Sequence, residues 1–202
     1  MRGLWQHLRA RRIPAALLTA AAAIWGLWAL WTLISRPSAV PAPMAMAATG
    51  LAAIAAGTTL AGSDTDLDST GALPWSPCRA LHLTFAGLII LGLLLSVAGT
   101  AHEYGHAAGL ARNCAGMLGL VSLGAATLGG ARAWFYLVPW ITIPPLLPTT
   151  TDSIIGQVIT WPLQPAVSTA ATATAVILLA LGATSYILRG PRATMSARRD
   201  RR

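Results

Sequence analysis

The chain has 202 residues, of which 55% are apolar and only 10% charged, and its mean hydropathy is +0.62. Soluble domains carry about 25% charged residues, and disordered chains combine low hydrophobicity with high charge; the composition excludes both and leaves an integral membrane protein. The net charge of +8 comes from fourteen arginines and no lysine. Arg2, Arg9, Arg11 and Arg12 crowd one terminus, and Arg189, Arg192, Arg198, Arg199, Arg201 and Arg202 the other. Basic clusters beside apolar runs orient spans and attract anionic lipid. No basic stripe interleaves with exposed aromatics, so no nucleic-acid partner is expected.

Residues 1–12 read as an interfacial cytoplasmic segment, with Trp5 and Leu8 on one face and Arg2, Arg9 and Arg12 on the other. The first apolar run, 13–33, exceeds the 7–15 residues of a signal peptide and carries Trp28 and Trp31 at interfacial depth. After Pro37, Pro41 and Pro43 comes an alanine-rich second run, 44–61. A cytoplasmic loop, 63–80, holds Asp64, Asp66 and Asp68 without the glycine and distal glutamate of a calcium loop.

The third run covers 81–100, and a polar stretch, 102–113, leads into a fourth that reaches Leu128. The fifth, 133–147, contains Pro139, Pro144 and Pro145 and is expected to break before crossing as a uniform helix. A broken helix survives in a bilayer only where protein or water satisfies the freed backbone. Residues 149–165 read as an outer re-entrant region, 166–188 as the last span and 189–202 as a cytoplasmic basic tail.

The expected fold is therefore all-α: one transmembrane domain over 1–202, a polytopic bundle of about six helices with a re-entrant hairpin before the last. Six spans put twelve of the fourteen arginines inside and only Arg36 and Arg112 outside, which places both termini in the cytoplasm of a multi-pass cell-membrane protein. Cys78 and Cys114 then lie on opposite sides, too far apart for a disulfide. Arg112 is expected to snorkel to headgroups, Asn113 to bond a neighbouring span, and His82 to sit at the interface. Gly105 and Gly109, Ala125 and Gly129, and the series Gly116, Gly119 and Gly124 allow close helix packing, inside the bundle or at a dimer seam.

One string carries recognisable chemistry. His102, Glu103 and His106 fit the HExxH pattern, in which a helix aligns both histidines on zinc and the glutamate serves as base for a zinc-bound water. Locally the string resembles intramembrane site-2 proteases, which take a third ligand from a later Leu-Asp-Gly segment that this chain lacks; Asp152 is the one acidic candidate on the same side. No mid-span carboxylate suits an ion-driven carrier, and there is no glycine-rich nucleotide loop.

A longer pattern covers 110–192: Arg112-Asn113, the glycines through Gly129, Arg132-Ala133-Trp134 and Pro139, then Trp161-Pro162-Leu163-Gln164-Pro165 and Arg189-Gly190-Pro191-Arg192. This resembles small ABC-transporter permease subunits of actinomycete type. The resemblance implies a type-2 export permease with six spans and a pair of short re-entrant helices. It would be a non-enzymatic subunit without a cofactor of its own, acting as a homo- or heterodimer with a separate ATPase that binds the ATP. It further implies an ATPase-docking surface on the cytoplasmic segments, with Trp5, Arg9, Arg12, Asp64, Asp66, Asp68, Trp75 and Arg79 as candidates. The alternative is a membrane zinc metalloprotease built on Glu103, with His102, His106 and Asp152 on the metal.

Overall fold

Alanine and leucine, the strongest helix formers, fill long uncharged runs, and the chain folds them into helices. In the computed structural model, which describes residues 13–35, 39–60, 75–148 and 153–192, there is no strand among the described residues. The long helices are α1 (Ile13–Ile34), α2 (Ala42–Leu60), α3 (Trp75–Leu95), α4 (Ala107–Leu128) and α7 (Thr169–Arg189). Between α4 and α7 lie two short helices, α5 (Val138–Thr142) and α6 (Ile154–Ile159), and three 3-10 turns, Gly130–Tyr136, Pro144–Leu146 and Trp161–Leu163.

Helix ends follow local chemistry. Pro41 and Pro43 flank the start of α2, where a helix tolerates missing N–H groups. Ser168 caps α7 by accepting from the Ala171 N–H, and Gly190, at φ +73°, ends it in a conformation that disfavours a Cβ. The third helix ends at Leu95 and not at Thr100, because Ser96 and Thr100 turn their hydroxyls onto the carbonyls of Leu93 and Val97 and the backbone breaks into turns.

Helices α1, α2, α3 and α7 are long and apolar enough to cross a membrane, as a multi-pass membrane protein requires. Their outward faces carry large apolar side chains such as Leu18, Leu33, Phe85 and Ile177. Helix α4 is equally long, but 13 of its 22 residues are buried, Arg112 and Asn113 among them. It is the centre of the bundle. Helix α2 packs closely on it through buried alanines, threonines and glycines.

Directions follow from cross-chain contacts. Arg112, at the start of α4, reaches the carbonyls just before α7, while Arg192, just after α7, reaches the carbonyls of Ala125 and Thr127 near the end of α4. These two helices are therefore parallel. Helix α2 runs the same way, since Gly50 lies by Met117 and Gly57 by Val121. Helix α3 is antiparallel to α7, with Arg79 beside Ile187 and Gly190. Helix α1 ends where α2 starts, joined by residues 35–41, and the Val40 N–H bonds the Glu103 carbonyl there.

Two consecutive parallel helices force the chain between them to travel back along the bundle. It does so in pieces: Ala133 lies against Gly57 and Gly124, Ile141 against Gly50, and Trp161 against Gly116. The run 133–147, expected as a fifth span, forms no long helix. Three of its residues are proline, and it resolves into two 3-10 turns around the single-turn α5. The region 149–165 holds α6 and the turn Trp161–Leu163, with residues 149–152 outside the described ones.

The glycines of α4 are spent inside the chain. A Cβ at Gly119 would strike the Leu178 carbonyl, one at Gly182 the Gly119 backbone, and one at Gly124 the Ala133 carbonyl. Helices α4 and α7 consequently meet backbone to backbone in the most extensive helix interface of the structure.

Candidate functional site

The HExxH string sits on the connection between α3 and α4. Residues 103–106 are not helical, Gly105 has φ +111°, and His106 is the extended N-cap residue of α4. The helical face that would align His102 with His106 does not exist here. Among the described residues no group of three His, Cys, Asp or Glu side chains could hold a metal, and Asp152 lies outside the described residues.

The string instead fastens its connection to the bundle. The Glu103 carboxylate accepts from the Gly99 N–H at 3.4 Å. Tyr104 is buried and donates its hydroxyl to the Ile24 carbonyl in mid-α1. Burial pushes the Tyr104 phenol up to about 12, so it stays a donor at physiological pH. The His102 Nε2 is buried without a partner among the described residues.

A denser polar site lies one turn into α4. Arg112 Nη1 donates to the Pro165 carbonyl at 2.8 Å and Nη2 to the Gln164 carbonyl at 2.7 Å, while Nε donates to Asn113 Oδ1 at 3.2 Å. Asn113 Nδ2 donates to the Pro162 carbonyl at 2.7 Å. Both side chains are more than nine-tenths buried. The cause is legible in Trp161-Pro162-Leu163-Gln164-Pro165: two prolines stop regular helix and leave carbonyls without intrahelical donors. A carbonyl in a low-dielectric interior must be paired, and the guanidinium fork with its neighbouring amide supplies three donors at the right spacing.

Arg112 therefore does not snorkel to headgroups; it clamps the return segment to α4. Asn113 does bond a neighbouring element, though a broken one and not a span. Glu103 is the one acidic residue among the described ones, so the clamp satisfies neutral carbonyls and forms no ion pair among them.

The opposite end gathers Arg79, Arg132, Arg189 and Arg192. Helices α2, α4 and α7 all point their C-termini there, so three dipoles present partial negative charge to these guanidiniums. Arg192 donates to the Thr127 carbonyl at 3.1 Å, and Arg79 to the Ile187 carbonyl at 3.3 Å. The Tyr186 hydroxyl donates to the Leu60 carbonyl at 2.8 Å, and the Thr59 hydroxyl lies 2.8 Å from His82 Nε2. His82 is thus held between α2 and α3 and is not simply interfacial.

Of the residues singled out for docking, Trp75 and Arg79 stand at the start of α3 beside the end of α7. Trp5, Arg9, Arg12, Asp64, Asp66 and Asp68 lie outside the described residues. Among the described residues the arrangement is all-helical, with four helices long and apolar enough to cross a membrane and one clamped, irregular return path. No protein family model matches the chain, and no curated protein or solved structure is significantly similar to it.

Proposed function

We propose that this chain is the transmembrane permease subunit of an ABC-type export transporter, powered by a separate ATPase subunit. The observation that carries the reading is the interrupted return path between two parallel helices, held by Arg112 and Asn113. The residues of that clamp, Arg112-Asn113 and 161–165, are among those through which the sequence resembles such permeases. The alternation of helix directions also accommodates six passes, with the fifth irregular.

In this reading the arginine end faces the cytoplasm of a cell-membrane protein, because basic flanks are retained on that side. The ATPase binds the ATP, and this chain carries no catalytic residue or cofactor. The ATPase docks on residues 1–12 and 63–80, where Trp5, Arg9, Arg12, Asp64, Asp66, Asp68, Trp75 and Arg79 fall. The permease pairs with a second permease, identical or not, within the lipid.

The geometry supports a way of transmitting motion. A push on the connection between α2 and α3 would displace the start of α3, and Arg79 there bonds the end of α7. Helix α7 meets α4 backbone to backbone at Gly119 and Gly182, so it would move α4 with it as one body. The clamp would carry that displacement to the return segment and open or close the path at the far end.

The test is purification of tagged protein from its native membrane in mild detergent, followed by mass spectrometry. An ABC ATPase in near-stoichiometric amount is the expected result. Intact protein with no ATPase, across detergents that preserve other transporters, overturns the proposal.

A further inference from the structure

Helices α3 and α7 meet near the arginine end, where Arg79 bonds the Ile187 carbonyl, and flank a groove of about 360 Å³ floored by α4. Ala80, Leu83 and Gly87 line one wall, Ala183 and Ile187 the other, and Ala115 the floor. The lining is apolar even at Thr84, whose hydroxyl is turned onto its own helix at the Ala80 carbonyl. On either side the outward residues Leu81, Phe85, Leu88, Leu181 and Leu188 are exposed, so in a bilayer the groove opens to acyl chains.

Its shape and lining favour one occupant. The lining runs along α3 from Ala80 to Leu91, about 16 Å at 1.5 Å per residue, a length that an extended acyl chain follows. Small residues at Ala80, Gly87, Ala115 and Ala183 leave room for such a chain to lie along α4.

Charge marks which end holds the headgroup. The guanidinium of Arg79 lies at the groove's arginine end, against the Ile187 carbonyl and Gly190. It makes one long hydrogen bond among the described residues, and its other N–H groups have no partner among them. Arg189 is exposed at the end of α7, two residues beyond Ile187. No carboxylate accompanies either among the described residues. A phosphate is the anion whose geometry suits an arginine fork, and lipids of the leaflet on the arginine side present it at this depth.

We infer that the groove between α3 and α7 binds one anionic phospholipid, its acyl chain along α4 and its phosphate on Arg79. The inference needs only that the chain spans a membrane and is independent of the transport reading. A seated chain would complete the packing of α7 against α3 along the groove.

The test is native mass spectrometry of the full-length protein in detergent, with phosphatidylglycerol or phosphatidylcholine added at equal concentration. The expected result is one phosphatidylglycerol per chain, retained at least tenfold better than phosphatidylcholine. Arg79→Gln should cut the preference for the anionic lipid about tenfold, the scale of one charge-assisted hydrogen bond. Ala183→Phe, which fills the groove and leaves Arg79 in place, should abolish retention of both. If Arg79→Gln unfolds, Ala183→Phe with native helix content still decides the matter. Equal retention of the two lipids by wild type, or undiminished retention by folded Ala183→Phe, overturns the inference. A second copy found cross-linked through the groove overturns it as well.

Discussion

The guanidinium of Arg112 donates a 2.8 Å hydrogen bond to the carbonyl of Pro165, 53 residues further along the chain. A cation in this setting is costly to bury. It is retained because Pro162 and Pro165 cannot continue a helix and the buried carbonyls of Gln164 and Pro165 take its N–H groups. The broken segment and the buried arginine explain each other, and neither would be stable without the other.

Arg112→Leu should therefore destabilise the protein by about 1–3 kcal/mol, the cost of withdrawing the guanidinium donors from two buried neutral carbonyls. Arg112→Lys should recover only part of this, since an ammonium cannot span two carbonyls as a planar fork does. Asn113→Ala should cost about 1–2 kcal/mol through the one carbonyl it leaves unpaired. Thermal unfolding in detergent of each variant in a Cys78→Ser background, followed by reaction of the buried Cys114 thiol with a fluorogenic maleimide, reads all three.

Glycine position decides a second series. A Cβ at Gly182 would enter the Gly119 backbone, and backbone cannot step aside as a flexible side chain can. Gly182→Ala should separate α4 from α7 and prevent accumulation of folded protein. Gly92 has nothing within 4 Å of the position a Cβ would take. Gly92→Ala should be neutral or stabilise by up to about 1 kcal/mol through helix propensity. Yield of monodisperse protein by size exclusion separates the two outcomes.

These two sites show where sequence reading succeeds and where it stops. Long alanine and leucine runs announce α1, α2, α3 and α7, because a lipid-exposed helix needs little beyond length and hydrophobicity. The breaking of 133–147 is legible too, in Pro139, Pro144 and Pro145. What hydropathy conceals is that the return path is completed without a long helix, a matter of contacts with Gly50, Gly57 and Gly124. Arg112 is misread for a related reason. From sequence it is an arginine near a helix end, where snorkelling is the ordinary expectation; its carbonyl partners lie about fifty residues away. The HExxH string differs again: its expected chemistry depends on a helix, and residues 103–106 are not helical, with Gly105 at φ +111°.

For that string the variants His102→Ala, His106→Ala and Glu103→Gln should leave metal content and folding unchanged, because an extended backbone does not present the two rings to one ion. Tyr104→Phe, which breaks no metal pattern, should cost about 1 kcal/mol by removing the hydroxyl's bond to the Ile24 carbonyl, which keeps its intrahelical partner. Atomic emission for zinc together with thermal unfolding distinguishes the readings. Stoichiometric zinc that is lost on His102→Ala or His106→Ala, and proteolytic activity lost with the zinc retained on Glu103→Gln, would restore the metalloprotease alternative.

The native cysteines report orientation without engineering. Cys78 is exposed at the start of α3, at the arginine end, whereas Cys114 is buried in α4 toward the clamp. If basic flanks are held in the cytoplasm, a membrane-impermeant maleimide should leave Cys78 unlabelled in intact cells and label it in inverted vesicles. Cys114 should stay unreactive in both until the protein is denatured, and Cys78→Ser should abolish the vesicle signal. Labelling of Cys78 from outside intact cells would invert the bundle. It would place the connection between α2 and α3 beyond reach of a cytoplasmic ATPase and thereby remove the transport proposal's docking surface.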